Sequence, residues 1–278
     1  GIPMLDFIRI ACAVPAVKVG DVRKNTEDIC AYMEKADAAG ADIVLFPELC
    51  LTGYTCGDLF FQDALWKAVK TGLKEICSCS EKHPALNAVV GLPVRLGSKL
   101  LNCAVLIRDG GLRGIVPKTY LTDAEKRWFV SGANLKETAA GLDVFGGSEF
   151  GFTSLGTDLL FEIGDGAVVG IEICEDMNSP IPNSAFLTLN GANVILNPSA
   201  SPEQVGKRRQ RTNRVKANSV AGTCVYAYVS AGSTESTADQ VFCGQSIIAE
   251  NGTVLKQNEN LIDQDYMIVQ DCDLGRIN

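Results

Sequence analysis

The chain has 278 residues, 46% of them hydrophobic and 21% charged, the balance of a soluble globular protein long enough to bury a large core. Its formal charge of −8 argues against nucleic acid as a main partner, because binding phosphates takes a basic surface. No apolar run reaches the roughly 18–20 residues that span a bilayer, and no charged-then-apolar leader is present, so a cytoplasmic protein without membrane contact is expected.

Taken in chain order, Gly1-Ile2-Pro3 ahead of Met4 reads as an addition to the native start. "FIRIACAV" then predicts a first strand, and "NTEDICAYMEKADAAG" a helix with a cap at Asn25 or Thr26 and Gly40 as its stop. Further strands are expected at "ADIVLFPE", "NAVVGLPV", "LNCAVLIRD", "AVVGIEICED", "ANVILNPSA", "CVYAYVSAG", "GQSIIAEN" and "MIVQDCDL". Several are apolar on consecutive residues, as strands covered on both faces are. A second helix is expected near 183–190, and a long basic one from Pro202 through "QVGKRRQRTNRVKANSVAG". "AAGADIVLFPEL" and "LNGANVILNPSA" echo each other: helix, Gly-Ala-[Asp/Asn], apolar strand, proline. With nothing resembling a linker, the pattern gives one α/β domain over residues 1–278 with a largely covered sheet.

Eleven cysteines without a C-x-x-C spacing fit neither a disulfide framework nor zinc, and ten of them read as buried reduced thiols. The single histidine, His83 in "SEKHPAL", reads as plain surface. Unless His83 takes part, a cysteine nucleophile here must pass its proton to a carboxylate or a lysine.

Three strand exits supply such groups. Glu48 follows Pro47 in "VLFPELCLTGY", Lys118 follows Pro117 in "RGIVPKTYL", and Cys174 ends "VVGIEIC"; ligand sites form at strand exits in sheets of this type. Each alone is an ordinary charge or thiol. Together, Glu48 could act as general base and later acid, its pKa raised by partial burial, while Lys118 stabilises the thiolate and an oxyanion. Cys174 would then attack a carbonyl or nitrile carbon, release ammonia and leave a thioester for water. Glu172 and Asp176, flanking Cys174, read as structural groups that fix its turn.

"FPELCLTGY", "VPKTYL" and "GIEICEDM" resemble the Glu–Lys–Cys signature of the nitrilase (carbon–nitrogen hydrolase) superfamily over nearly the whole chain. "LTGYTCGDLF", "EICEDMNSPIPNS", "NPSASPEQVGKRRQR" and "SAGSTESTADQVFCGQSIIAENG" narrow the likeness to the N-terminal glutaminase domains of glutamine-dependent NAD+ synthetases. The resemblance implies an α/β four-layer α-β-β-α sandwich and a homo-oligomer. It implies Glu48, Lys118 and Cys174 as catalytic residues, with Glu125 as a second, orienting glutamate. Tyr54, Ser201 and Lys207 would bind the substrate, L-glutamine, with Lys207 suited to a carboxylate. Neither metal nor cofactor would serve the glutaminase reaction; ATP and Mg would belong to an ammonia-accepting synthetase domain. That domain is expected to be absent from this chain, which lacks an "SGGxDS" loop and stops at "DLGRIN".

After the lysine the family pattern is "KTYLPNYxxFxEKRxF", whereas this chain reads the shorter "KTYLTDAEKRWF". Two other readings therefore stay open: a free-standing amidase acting on another small amide, and a nitrilase-like scaffold without turnover.

Overall fold

The computed structural model describes residues 6–135, 139–142, 150, 153–259 and 265–277. The chain starts with β1 (Phe7–Val14), α1 (Val22–Ala38), β2 (Ile43–Leu45) and α2 (Asp63–Glu81). Three longer strands follow, β3 (Asn87–Leu96), β4 (Lys99–Arg108) and β5 (Gly111–Pro117), then the short β6 (Ala139–Leu142), β7 (Thr153–Leu155) and β8 (Phe161–Ile163). The remainder is β9 (Ala167–Ile171), α3 (Asn183–Leu189), β10 (Val194–Ser199), α4 (Lys207–Ala221), β11 (Val225–Ser230), β12 (Ser246–Glu250), β13 (Thr253–Gln257) and β14 (Tyr266–Asp273).

Among the described residues the strands form two sheets, where the strand pattern alone suggested one. The larger runs β14-β1-β2-β3-β4-β5-β7-β6 and the smaller β13-β12-β11-β10-β9-β8. Alternation along each strand explains the layering. On β1, Ile8, Ile10, Cys12 and Val14 join a core shared with Val169 and Ile171 of β9, Val194 and Leu196 of β10 and Ala227 of β11. The intervening Ala11 and Ala13 pack instead with Ile29, Met33, Leu73 and Ile76 of α1 and α2. On the far side, Ile195, Tyr226 and Ile247 meet Leu187 of α3 and Val215 of α4. The order is helix, sheet, sheet, helix: the four-layer sandwich.

Several local expectations change. The cap of α1 is Asp21, whose carboxylate accepts from Lys24 N. Asn25 and Thr26 lie one turn inside, where Asn25 Nδ2 donates to Leu51 O at 3.1 Å and Thr26 Oγ1 to Val22 O at 2.7 Å. The basic helix begins at Lys207, after Gly206 takes a left-handed φ of 80°, while Pro202 bridges to Phe242. His83 is tucked against α1, its Nδ1 2.7 Å from Asp37 Oδ2. Cys30 and Cys79 are half-buried, whereas the other nine thiols are buried. Among the described residues no helix is long and apolar enough to cross a membrane.

The internal echo has a spatial meaning. Asp42 and Asn193 occupy the same place in the two copies, and each accepts a backbone N–H from a neighbouring strand: Arg9 N at 2.8 Å and Val168 N at 2.8 Å. The copies lie in different sheets and meet at their exits, where Glu48 N donates to Ser199 O at 3.1 Å.

Candidate active site

Glu48, Lys118 and Glu125 converge from three segments. β2 delivers Glu48 through the Phe46-Pro47 exit, β5 ends one residue before Lys118, and Glu125 opens a short 3-10 turn, Glu125–Arg127. Lys118 Nζ donates to Glu48 Oε2 at 2.7 Å and to Glu125 Oε2 at 2.9 Å. Glu48 also accepts from Asn102 Nδ2 at 2.6 Å and Ala200 N at 3.0 Å. Thr122 Oγ1 donates to Glu125 Oε1 at 3.0 Å. Glu48 and Lys118 are each 1% exposed and Glu125 2%, so the three charges interact with little solvent screening.

One cation among two carboxylates sets the protonation states. Burial pushes Glu48 up, and the repulsion of Glu125 adds to that against the pull of Lys118, leaving it at about 7. Burial alone would lower Lys118, but the negative charge of its neighbours Glu48 and Glu125 holds it well above the usual lysine range. The lysine keeps its proton while Glu48 titrates near neutrality. A group poised this way can accept and return a proton at working pH.

Cys174 follows β9 as the first residue of a 3-10 turn, Cys174–Asn178, with φ at +47°, a left-handed conformation that a residue with a side chain seldom takes. Asn197 holds it there: Cys174 N donates to Asn197 Oδ1 at 2.8 Å, and Asn197 Nδ2 bonds Tyr226 OH at 2.9 Å. Tyr226 OH in turn donates to Glu172 Oε1 at 2.6 Å, while Ser184 N donates to Glu172 Oε2 at 2.9 Å. Asp176 accepts from Ile173 N at 3.2 Å and Tyr120 N at 2.7 Å, tying the turn beneath the thiol to the segment after Lys118. Burial drives the Cys174 thiol up to about 12, with Glu48 adding to the rise and Lys118 opposing it. The resting group is a neutral thiol. Ser199 Oγ donates to its sulfur at 3.0 Å, a bond that favours the thiolate once a base removes the proton.

Cys174 and Glu125 open onto a cavity of about 360 Å³ whose walls include Tyr54, Trp128, Thr237 and Gln240. Tyr54 packs edge-on to Phe242, centroids 6.0 Å apart. Its N–H donates to buried Glu235 at 2.6 Å, as does Thr55 Oγ1 at 2.7 Å. Ser201 Oγ lies 3.5 Å from Cys174 Sγ and accepts from Tyr228 OH at 3.0 Å. Lys207 is exposed at the start of α4 and lines an adjoining groove with Ser201, Glu175 and Arg214, not the Cys174 cavity. Asn102, Asn197, Ser199 and Glu235 were not singled out from sequence. Their signal was a polar residue inside an apolar strand, as in "KLLNCAV" and "VILNPS"; Glu235 carried none. Among the described residues no cluster of three or more His, Cys, Asp or Glu is arranged to hold a metal ion.

Comparison with known proteins gives the family. Residues 9–278 match the model of the carbon-nitrogen hydrolases. The chain belongs to the carbon–nitrogen hydrolase family. Among curated relatives of this family member, the glutamine-dependent NAD(+) synthetase of Mycobacterium tuberculosis is 37% identical over 262 residues, covering 91% of this chain and 37% of the relative. That of Mycobacterium leprae is 34% identical, covering 96% of this chain and 39% of its own length. The chain thus spans less than two fifths of the length of these relatives. The crystal structure of a glutamine-dependent NAD(+) synthetase from Cytophaga hutchinsonii superposes with a TM-score of 0.82 at 28% identity, over 96% of this chain and 43% of that one. An amidase of the nitrilase superfamily from Nesterenkonia AN1 shares the fold, with a TM-score of 0.78 at 19% identity over 100% of this chain and 95% of its own.

Proposed function

We propose that residues 1–278 form one glutaminase domain of a glutamine-dependent NAD+ synthetase. It hydrolyses L-glutamine through a thioester on Cys174 and supplies ammonia for the amidation of deamido-NAD+. The acceptor is a synthetase domain using ATP and Mg, within a cytoplasmic homo-oligomer, as the family resemblance implies. The observation that carries the reading is the buried Glu48–Lys118–Glu125 cluster beside the cavity that holds the Cys174 thiol. The glutamine-dependent NAD(+) synthetases that the chain resembles supply the substrate.

In the proposed cycle Glu48 takes the thiol proton as Cys174 Sγ attacks the carboxamide carbon of glutamine. The carbonyl electron pair moves to oxygen, where the Lys118 ammonium donates. Collapse re-forms the carbonyl and breaks the carbon–nitrogen bond, with the Glu48 proton passing to the leaving nitrogen as ammonia. Water, deprotonated by Glu48, then attacks the thioester; glutamate leaves and the thiol recovers its proton. Glu125 holds Lys118 in place throughout. Tyr54 and Ser201 border the bound substrate, and Lys207 meets its carboxylate from the neighbouring groove. The nine-residue stretch from Glu48 to Cys56 and the turn at Glu235 fix the wall that Tyr54 belongs to.

The test is covalent. Incubation with 6-diazo-5-oxo-L-norleucine, a glutamine-shaped alkylator, should add one adduct to the protein and none to Cys174→Ala, read by intact mass. An unlabelled parent protein whose other thiols still react with a general alkylator would refute the glutaminase reading and favour another small amide.

A further inference from the structure

The α1–α2 layer carries a second group of reactive side chains that shares no lining residue with the Cys174 cavity. The helices approach closely. At Gly72 of α2 an added Cβ would lie 2.5 Å from Thr26 Oγ1 and 3.1 Å from Val22 Cγ1 of α1. Farther along the same seam, Cys79 of α2 points at Cys30 of α1, with Cys79 Sγ 3.8 Å from Cys30 O. Both line an open groove of about 650 Å³ with Glu34, Glu75, Lys82 and His83. They are also the two half-buried cysteines, the other nine being buried.

We propose that Cys30 and Cys79 form an oxidisable dithiol, a modification site between the outer helices that takes peroxides and closes to an intramolecular disulfide. Cys79 is the attacking thiol. The neighbouring Cys30 thiol lowers it to about 7 despite burial, with His83 and Lys82 helping and Glu34 opposing. Cys30 is correspondingly pushed up and keeps its proton. In the first step Cys79 thiolate attacks one peroxide oxygen; the oxygen–oxygen bond breaks and the other oxygen leaves as hydroxide or alkoxide, taking a proton from water. Cys79 is then a sulfenic acid. In the second step Cys30 sulfur attacks Cys79 sulfur, the sulfur–oxygen bond breaks, and water leaves carrying the Cys30 proton. Two thiols have lost two electrons and the peroxide bond has taken them.

The experiment uses the native chain. With limiting iodoacetamide near pH 7.5, Cys79 should alkylate about tenfold faster than the buried thiols other than Cys174, because thiolate fraction and access set the rate. After hydrogen peroxide, capping of free thiols and digestion, mass spectrometry should find the Cys30 and Cys79 peptides linked with loss of two hydrogens. In Cys30→Ser the link should vanish and Cys79 sulfenic acid should be trapped by dimedone; in Cys79→Ser, Cys30 should stay reduced. Because alkylation and linkage are read on the parent protein, a variant that fails to fold does not decide the matter. Cys79 reacting no faster than those buried thiols, or peroxide leaving the pair unlinked, would overturn the proposal.

Discussion

Glu48 shares a single cation with Glu125, and that arithmetic governs the chemistry available at the site. A group titrating at about 7 must be ionised to take the thiol proton, so kcat/KM should rise through an ascending limb near pH 7. Asn102 Nδ2 favours the carboxylate form by donating to it at 2.6 Å. Asn102→Leu should therefore move that limb upward by about one pH unit, measured as a pH–rate profile. Lys118→Met strands two buried carboxylates together. It should cost about 3–5 kcal/mol of stability near pH 8 and less near pH 5, where Glu48 already carries its proton; urea unfolding at the two pH values checks this. Glu48 and Lys118 were legible in sequence because each follows a proline at a strand exit, whereas Glu125 came only through the family resemblance. The amides were not: Asn197 and Asn102 lie inside runs whose apolar neighbours make them look like strand filler, and only the fold turns them toward Cys174 and Glu48. His83 illustrates the reverse, since the pairing with Asp37 depends on how α1 and α2 pack.

At the scale of elements, strand exits from two sheets build the site, and small residues let them come together. Gly91 of β3 faces the Pro47–Leu49 turn, and a Cβ there would overlap Leu49 N and lie 2.8 Å from Pro47 O. Gly91→Ala should displace the turn that carries Glu48, destabilising the fold by about 1–3 kcal/mol and lowering kcat more than it raises KM. Thermal unfolding and steady-state kinetics on glutamine test both parts. All nine strands expected from apolar runs coincide with strands of the fold. β5 was marked only by its exit at Pro117, and β6, β7, β8 and β13 were not anticipated, because three to five residues hold too little periodicity to register. The nineteen-residue α2 was also passed over, although its buried face recurs at Leu65, Val69, Gly72, Leu73, Ile76 and Ser80. Its cysteines and glycine hid an ordinary amphipathic helix. The start of α4 was misplaced because Pro202 resembles a first-turn proline, but its real role is a bridge to Phe242.

Across the whole molecule, buried acids make stability depend on pH in an uncommon direction. Burial holds both Glu48 and Asp176 at about 7, well above the values near 4 expected of an unfolded chain. Between those limits the folded state binds more protons than the unfolded one, so stability should fall as pH rises from about 4 through about 7. Asp176→Asn should flatten the slope, as thermal midpoints taken at intervals across that range would show. The two-sheet layering was accessible from sequence only through the family resemblance. Consecutive apolar residues say that a strand is covered, not whether a helix or another sheet covers it.

The larger sheet places β1 between β2 and β14, with Phe7 opposite Asp273 and Val14 opposite Tyr266. Among the described residues, the first strand in the sequence is thus completed by the last. Throughout translation of the intervening residues, β1 offers an unpaired backbone edge studded with Ile8, Ile10 and Val14, the kind of template on which chains stick to one another. The yield of folded protein in a cell should therefore hang on protection of the nascent β1. A stop codon placed just before β14 should leave an insoluble product despite an intact Glu48, Lys118 and Cys174.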